Sequence, residues 1–147
     1  MSPRALVVFA AAAFLARSVA VAAELDQSAL RAPSTLELTT IGRTSGKPHT
    51  ATIWFVLEDA PVRIYVQSGK DGETDWFRNL CKTAAVTVKI GERQLRGRAA
   101  AIDDPSETAR VHDLFKQKYL TARIMSWFGG GFGAGKVAVI DQLEAVE

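Results

Sequence analysis

The chain has 147 residues, of which 48% are hydrophobic and 23% are charged, a composition typical of one globular domain with its own core. The formal net charge of +2 comes from Arg4 and Arg17, because residues 1–23 contain no acidic residue and the remainder is balanced. This balance argues against a nucleic-acid-binding protein. The single cysteine, Cys81, excludes an internal disulfide.

Residues 1–23 have the pattern of a targeting segment. Ala5 to Ala16 is an apolar run after one arginine, and Ala20-Val21-Ala22 fits a small-x-small cleavage site. The run is short for a membrane span. We therefore expect either a signal peptide cleaved near residue 22 or 23, or an anchor over 5–23 that associates with a membrane. A start codon placed too early is the third alternative. The first two alternatives imply an exported or membrane-associated protein, and the third a cytoplasmic one.

A polar lead-in over 24–34, with at most one helical turn, precedes the predicted domain at 35–147. The strands of this domain are predicted over 36–41, 50–57, 62–67, 84–90, 93–101 and 136–140. Helices are predicted over 74–82 and after Asp104-Pro105-Ser106-Glu107, which has the residues of a helix start. The pattern predicts a mainly β, α+β fold: a six-stranded antiparallel split β-barrel with two or three flanking helices.

The loop from Gly42 to Pro48 is longer than a tight hairpin needs. Its glycines allow backbone N–H groups to converge on an anion, and Arg43 adds a planar fork for phosphate or carboxylate. Two interpretations stay open: an anion-holding loop at a cofactor site, or a solvated turn that keeps the protein soluble. In the first, we expect Arg43 and Lys47 to hold the anion and to be exposed without ligand.

The catalytic motifs of metal enzymes and serine hydrolases are missing from the sequence, so an enzyme of this kind would need a cofactor for its chemistry. Trp54, Phe55 and Trp76 could form the walls of a flat slot for a cofactor ring. Tyr65 is a weak candidate proton donor, because its strand position indicates packing. His112 is expected to be a solvated helix residue rather than a ligand.

The glycine-rich segment 129–135 cannot hold a regular element. It is interpreted either as a flexible linker or as a lid. In the second case Trp127 and Phe132 would cover a ligand.

Three motifs in order, LTTIGRTSGKPH at 38–49, SGKDG at 68–72 and WFRNL at 76–80, resemble the deazaflavin-dependent nitroreductase family. The resemblance covers about Leu36 to Ile140. It implies the split barrel shared with FMN-binding oxidases of the pyridoxamine-phosphate-oxidase type. It also implies a redox protein that passes a hydride from reduced deazaflavin, coenzyme F-420, to a small electrophile such as a quinone or nitroaromatic.

The resemblance also implies cofactor-binding positions. The first loop, expected to hold the phosphate tail, supplies Gly42, Arg43, Thr44, Ser45, Gly46, Lys47 and His49. The second loop and the helix supply Ser68, Gly69, Lys70, Trp76 and Asn79. The family usually has lysine where Thr44 stands and arginine where His49 stands, although some members carry histidine there.

The smaller number of fixed charges keeps FMN open as an alternative cofactor. A protein that binds a cofactor, haem or lipid without catalysis is the second function class, and a homodimer is compatible with either class.

Overall fold

The structure, a computed structural model, describes residues 27–69, 72–120 and 135–146. In chain order its elements are α1 (Gln27–Arg31), β1 (Thr35–Ile41), β2 (Pro48–Asp59), β3 (Val62–Ser68), α2 (Asp75–Lys82), β4 (Ala85–Ile90), β5 (Arg93–Ala101), α3 (Pro105–Leu120) and β6 (Lys136–Ala145). The six strands of these ranges form a closed antiparallel barrel in the order β1-β2-β3-β6-β5-β4. The predicted six-stranded barrel with its flanking helices is therefore confirmed.

Two strands are longer than the sequence pattern predicts. β2 begins at Pro48, which pairs with Ile41, and this pairing shortens the preceding turn to residues 42–47. β6 continues to Ala145 beyond the apolar run, although Gln142 has a positive φ of 51° and the register with β5 shifts between Arg96 and Arg98. Such an irregularity interrupts the alternation on which the prediction depends.

The alternating residues of the strands fill the barrel. Leu38, Phe55, Val66, Leu95 and Ile140 are all fully buried in one apolar cluster. The cluster also includes Phe77 and Leu80 of α2, so this short helix is held against the barrel by its apolar face. Each such side chain contributes about 1.5–3 kcal/mol through burial, so the barrel fixes the position of α2.

Helix α3 covers the outer face of β2, β3 and β6. Its buried residues Val111, Phe115 and Tyr119 pack against Val56 and Tyr65 of two neighbouring strands. The helix begins as predicted, because the Asp104 carboxylate accepts the Glu107 N–H at 3.1 Å. Among the described residues, no helix is long and apolar enough to cross a membrane.

Candidate functional site

The turn between β1 and β2 is closed by its own backbone. The Gly42 N–H donates to the Lys47 carbonyl at 2.8 Å, and the Gly46 N–H donates to the Gly42 carbonyl at 2.9 Å. Gly46 has a φ of +68°, a conformation that costs a residue with a side chain. Within the described residues, the N–H groups of Thr44 and Ser45 have no hydrogen-bond partner. The turn therefore offers two free donors to a ligand.

Gly42 allows two side chains to meet over the turn. The Ser45 hydroxyl lies 3.1 Å from His49 Nε2 and also accepts the Lys47 N–H at 3.2 Å. A Cβ atom on Gly42 would lie 2.8 Å from His49 Nε2, closer than real Cβ contacts allow. The glycine at this position is therefore required by the Ser45–His49 contact rather than by its backbone dihedrals.

Arg43 binds α2. Its Nη1 donates to Asn79 Oδ1 at 3.0 Å, its Nη2 donates to Asp75 Oδ1 at 3.0 Å, and its backbone N–H donates to Asn79 Oδ1 at 3.1 Å. The Lys82 ammonium donates to the Arg43 carbonyl at 2.6 Å. The side chain is 34% exposed. The expectation of an exposed Arg43 is therefore wrong, because the structure places α2 directly beside the turn.

Asn79 is the buried polar centre of this arrangement. It is 3% exposed, and its Nδ2 donates to the Thr40 hydroxyl at 3.2 Å while its Oδ1 accepts both bonds from Arg43. A buried amide of this kind is costly unless it is paired. Asn79 thus joins β1, the turn and α2 into one unit.

The turn and the start of α2 enclose a cavity of about 660 Å³. This volume lies within the range of small-molecule sites. Its walls are Thr40, Gly42, Arg43, Thr44, Ser45, His49, Thr50, Ala51, Glu73, Thr74, Asp75, Trp76 and Asn79. The structure thus brings together seven of the residues proposed for cofactor binding: Gly42, Arg43, Thr44, Ser45, His49, Trp76 and Asn79.

Five other proposed residues of the two loops lie elsewhere or outside the description. Gly46, Lys47 and Gly69 are exposed but do not line the cavity. Ser68 is fully buried behind the wall, with its hydroxyl 2.7 Å from that of Thr74. Lys70 lies outside the described residues.

The predicted aromatic walls on β2 are wrong. Phe55 is fully buried inside the barrel, and the Trp54 ring packs at 5.5 Å from the Tyr119 ring under α3. Neither lines the cavity. Successive residues of a strand point to opposite faces, so these two side chains cannot form the same wall. Trp76 is the aromatic residue of the predicted set that reaches the cavity.

Sequence reasoning missed the acidic side of the site. Glu73 and Asp75 both line the cavity, although neither belongs to a motif quoted for the family resemblance. Their position between the second loop and the helix was the available signal, since acidic residues are common in the first turn of a helix. That α2 faces the turn, however, is a tertiary fact that local pattern does not contain.

Tyr65 packs, as its strand position indicates. It is 1% exposed, its hydroxyl donates to Glu58 at 2.7 Å and accepts a bond from Arg110 at 2.9 Å, and it does not line the cavity. Burial is the main cause that raises the pKa of Tyr65.

His112 is half-buried rather than solvated, with Nε2 2.7 Å from the Gly135 carbonyl. Its expected solvation is therefore wrong. The rest of the glycine-rich segment, with Trp127 and Phe132, lies outside the described residues. Within the described ranges no group of three or more His, Cys, Asp or Glu could hold a metal ion.

A closed antiparallel barrel with a polar cavity beside one turn defines the class of split-barrel proteins. The chain matches the family model described as F420H(2)-dependent quinone reductase over residues 13–124, and it therefore belongs to this family. The family resemblance noted from the three motifs is confirmed. A search of curated proteins gives no match.

Solved structures share the fold at low sequence identity. An F420-H2 dependent reductase has 18% identity and a TM-score of 0.55, with 74% of this chain and 94% of that chain covered. A structure described as a domain-swapped dimer has 19% identity and a TM-score of 0.57, with coverages of 74% and 80%. HutZ, the heme storage protein from Vibrio cholerae, has 14% identity and a TM-score of 0.56, with coverages of 81% and 90%. These likenesses establish the barrel and leave activity to the site.

Proposed function

We propose that the protein is an oxidoreductase that uses coenzyme F-420 to reduce a small electrophile such as a quinone or nitroaromatic. The observation that carries the proposal is the cavity between the 42–47 turn and the start of α2. There the donors of the turn lie opposite the ring of Trp76. Family membership supports dependence on reduced deazaflavin.

The donor set fits the anionic part of such a cofactor. Arg43 and the free N–H groups of Thr44 and Ser45 are suited to phosphate oxygens. His49 lies on the same wall. Trp76 offers a flat apolar surface for a ring system. When bound, the reduced deazaflavin would supply the hydride, and the protein would bind and orient the reactants.

Two alternatives share this cavity. FMN carries a phosphate on a similar ring system, so the same donors would suit it. The second alternative is a carrier without catalysis, and the likeness to a heme storage protein favours haem as its cargo. The three ligands differ enough in size and charge to be separated by binding.

Titration of the full-length protein with F-420, FMN and haem, followed by the quenching of tryptophan fluorescence, tests the proposal. We expect saturable binding of F-420, weaker binding of FMN, and turnover of a quinone when reduced F-420 is supplied. Tight haem binding without quinone turnover would support the carrier.

Two variants test whether the cavity is the binding site. Ser45→Ala and His49→Ala should weaken F-420 binding by about three- to tenfold each, the loss of roughly one hydrogen bond. Thr87→Ala, on β4 and away from the cavity, is the matched control and should bind as the parent does. Equal binding by all three variants would place the cofactor elsewhere.

A further inference from the structure

The charges that line the cavity are unequal in sign. Arg43 is the residue with a permanent positive charge among the described lining residues, and Glu73 and Asp75 carry negative charges. The guanidinium of Arg43 is divided between two partners, with Nη1 on Asn79 and Nη2 on Asp75, both at 3.0 Å. An anion that enters the cavity therefore meets an arginine that is already paired.

The two partners of Arg43 differ in how firmly they are held. Asn79 is 3% exposed and is fixed by its bond to Thr40, whereas the Asp75 side chain is 85% exposed. An ion pair with so exposed a partner stabilises little, because water and salt screen it. The Nη1 bond is therefore expected to persist when a ligand binds, and the Nη2 bond can be exchanged.

We propose that the Asp75 carboxylate occupies the anion-binding arm of Arg43 in the ligand-free protein and is displaced by the phosphate of the cofactor. This inference rests on the proposed function. Exchange of Asp75 for another singly charged carboxylate gains almost nothing, because the broken contact resembles the new one. A phosphate with more charge and more acceptor oxygens gains from the exchange. Asp75 would thus select phosphorylated cofactors over small carboxylates.

Glu73 provides a matched control for this competition. It lines the same cavity and is exposed, but within the described residues it makes no hydrogen bond or ion pair with Arg43. Asp75→Asn and Glu73→Gln therefore remove the same charge from the same cavity. The removal of a competing carboxylate from Arg43 is specific to Asp75→Asn.

The experiment compares F-420 with its phosphate-free ring precursor in the parent protein and in both variants, using tryptophan fluorescence. Asp75→Asn should tighten F-420 binding by about two- to fivefold more than Glu73→Gln does, the contribution of one exposed ion pair. Neither variant should change the affinity for the phosphate-free precursor by more than about twofold. The midpoint of urea unfolding without ligand checks that both variants are folded.

Three outcomes would overturn the inference. Equal effects of the two variants would mean that Asp75 acts only through the total charge of the cavity. Weaker F-420 binding by Asp75→Asn would mean that Asp75 contacts the cofactor or positions Arg43 for it. A gain that is the same for the phosphate-free precursor would remove the phosphate from the explanation.

A separate probe distinguishes this inference from the proposed function. If the parent protein binds neither F-420 nor FMN, the proposed function fails. Inorganic phosphate can then be titrated while the ¹³C signal of the Asp75 carboxyl is followed by NMR. A shift of this signal in the parent and in Glu73→Gln would support displacement from Arg43. An unchanged signal at saturating phosphate would overturn it.

Discussion

Arg43 and Asn79 are joined twice, because the backbone N–H and the guanidinium of Arg43 both donate to the same amide oxygen. The first bond fixes the backbone of the turn and the second fixes the side chain that faces the cavity. Since Asn79 is buried on α2 and also bonds to Thr40 on β1, the shape of the cavity depends on how this helix is packed.

The first prediction concerns Asn79. Asn79→Ala should lower the free energy of unfolding by about 1–3 kcal/mol, because buried donors on Arg43 lose their acceptor. It should also weaken F-420 binding, since the turn is no longer held against α2. Urea unfolding and fluorescence titration measure the two effects. Thr40→Val is the control: it removes the Nδ2 contact and leaves both Arg43 bonds, so it should keep most of the binding. Parent-like binding by Asn79→Ala would contradict this role.

The second prediction concerns Gly42. A methyl group there must push Ser45 and His49 apart, because its Cβ would lie 2.8 Å from His49 Nε2. Both obstacles are ends of side chains that can move, so Gly42→Ala should fold nearly as well as the parent, within about 1 kcal/mol. Binding of F-420 should weaken by about tenfold. A titration alongside a thermal melt checks both expectations.

Gly97 gives the contrasting case. A Cβ atom there would lie 2.8 Å from a methyl group of Ile140 and 2.9 Å from the Asp141 backbone carbonyl, in the barrel wall. Gly97→Ala should therefore lower stability by about 1–3 kcal/mol through overpacking, while the folded fraction binds F-420 as the parent does. A Gly42→Ala protein that loses stability like Gly97→Ala would make the turn structural rather than a binding element.

The barrel could be predicted because each strand repeats a local rule. Buried and exposed residues alternate along β1 and β4, and the pairing of neighbouring strands follows from that alternation. The end of β6 could not be predicted in the same way. The shift near Gln142 breaks the alternation there, and the strand is held by its bonds to β5.

The site could be predicted only in part, for a related reason. The turn has its own sequence signature of two glycines around Arg43, so its position and its anion donors could be inferred. The second wall is α2, which reaches the turn through Asn79 and through the burial of Phe77 and Leu80 in the barrel. Nothing local in the sequence shows this contact, so Asp75 was missed and Arg43 was expected to be free.

The third prediction concerns Glu58, which joins β2 to α3. Its carboxylate accepts two bonds from Arg110, at 2.6 and 3.2 Å, and these bonds are the main cause that lowers the pKa of Glu58. A carboxyl group with a lowered folded-state pKa stabilises the protein above its unfolded pKa. That contribution is lost as the pH falls through the folded-state value.

Glu58→Gln should therefore lower the free energy of unfolding by about 1–2 kcal/mol at pH 7, and the difference from the parent should shrink below about pH 4. Urea unfolding at a series of pH values measures this. Glu37→Gln, an exposed substitution on β1 without an ion pair in the described residues, is the control. A difference that does not change with pH would mean that Glu58 acts by shape alone.

The fourth prediction concerns residues 1–23, which lie outside the described residues. The apolar run and the Ala20-Val21-Ala22 pattern predict cleavage near residue 22 or 23. Mass spectrometry of the protein from its native host should show a chain that begins there. An intact Met1 would favour an anchor or a misplaced start. In that case a fractionation of membranes from soluble protein would separate these two alternatives.

The last prediction concerns Lys118, whose ammonium is enclosed between α3 and β2. It donates to the Phe55 carbonyl at 2.8 Å and lies 3.6 Å from the centre of the Phe55 ring. Burial is the main cause that lowers the pKa of Lys118 from 10.5 to about 8, and the charge of Arg31 adds to it. Between these two values the unfolded chain binds more protons than the folded protein, so stability rises with pH.

The comparison with Lys118→Met isolates this effect, because methionine keeps the apolar stem and Tyr119 still donates to the Phe55 carbonyl at 3.0 Å. From pH 7.5 to 9.5 the parent should gain stability relative to the variant, by at most about 1.4 kcal/mol per pH unit. Above pH 10 Tyr119 has the opposite effect. Burial raises its pKa to about 12, so the unfolded chain loses this proton first and stability falls. Urea unfolding from pH 7 to 9.5 therefore separates the two groups. A difference between parent and variant that is constant over this range would mean that the folded protein keeps Lys118 charged throughout.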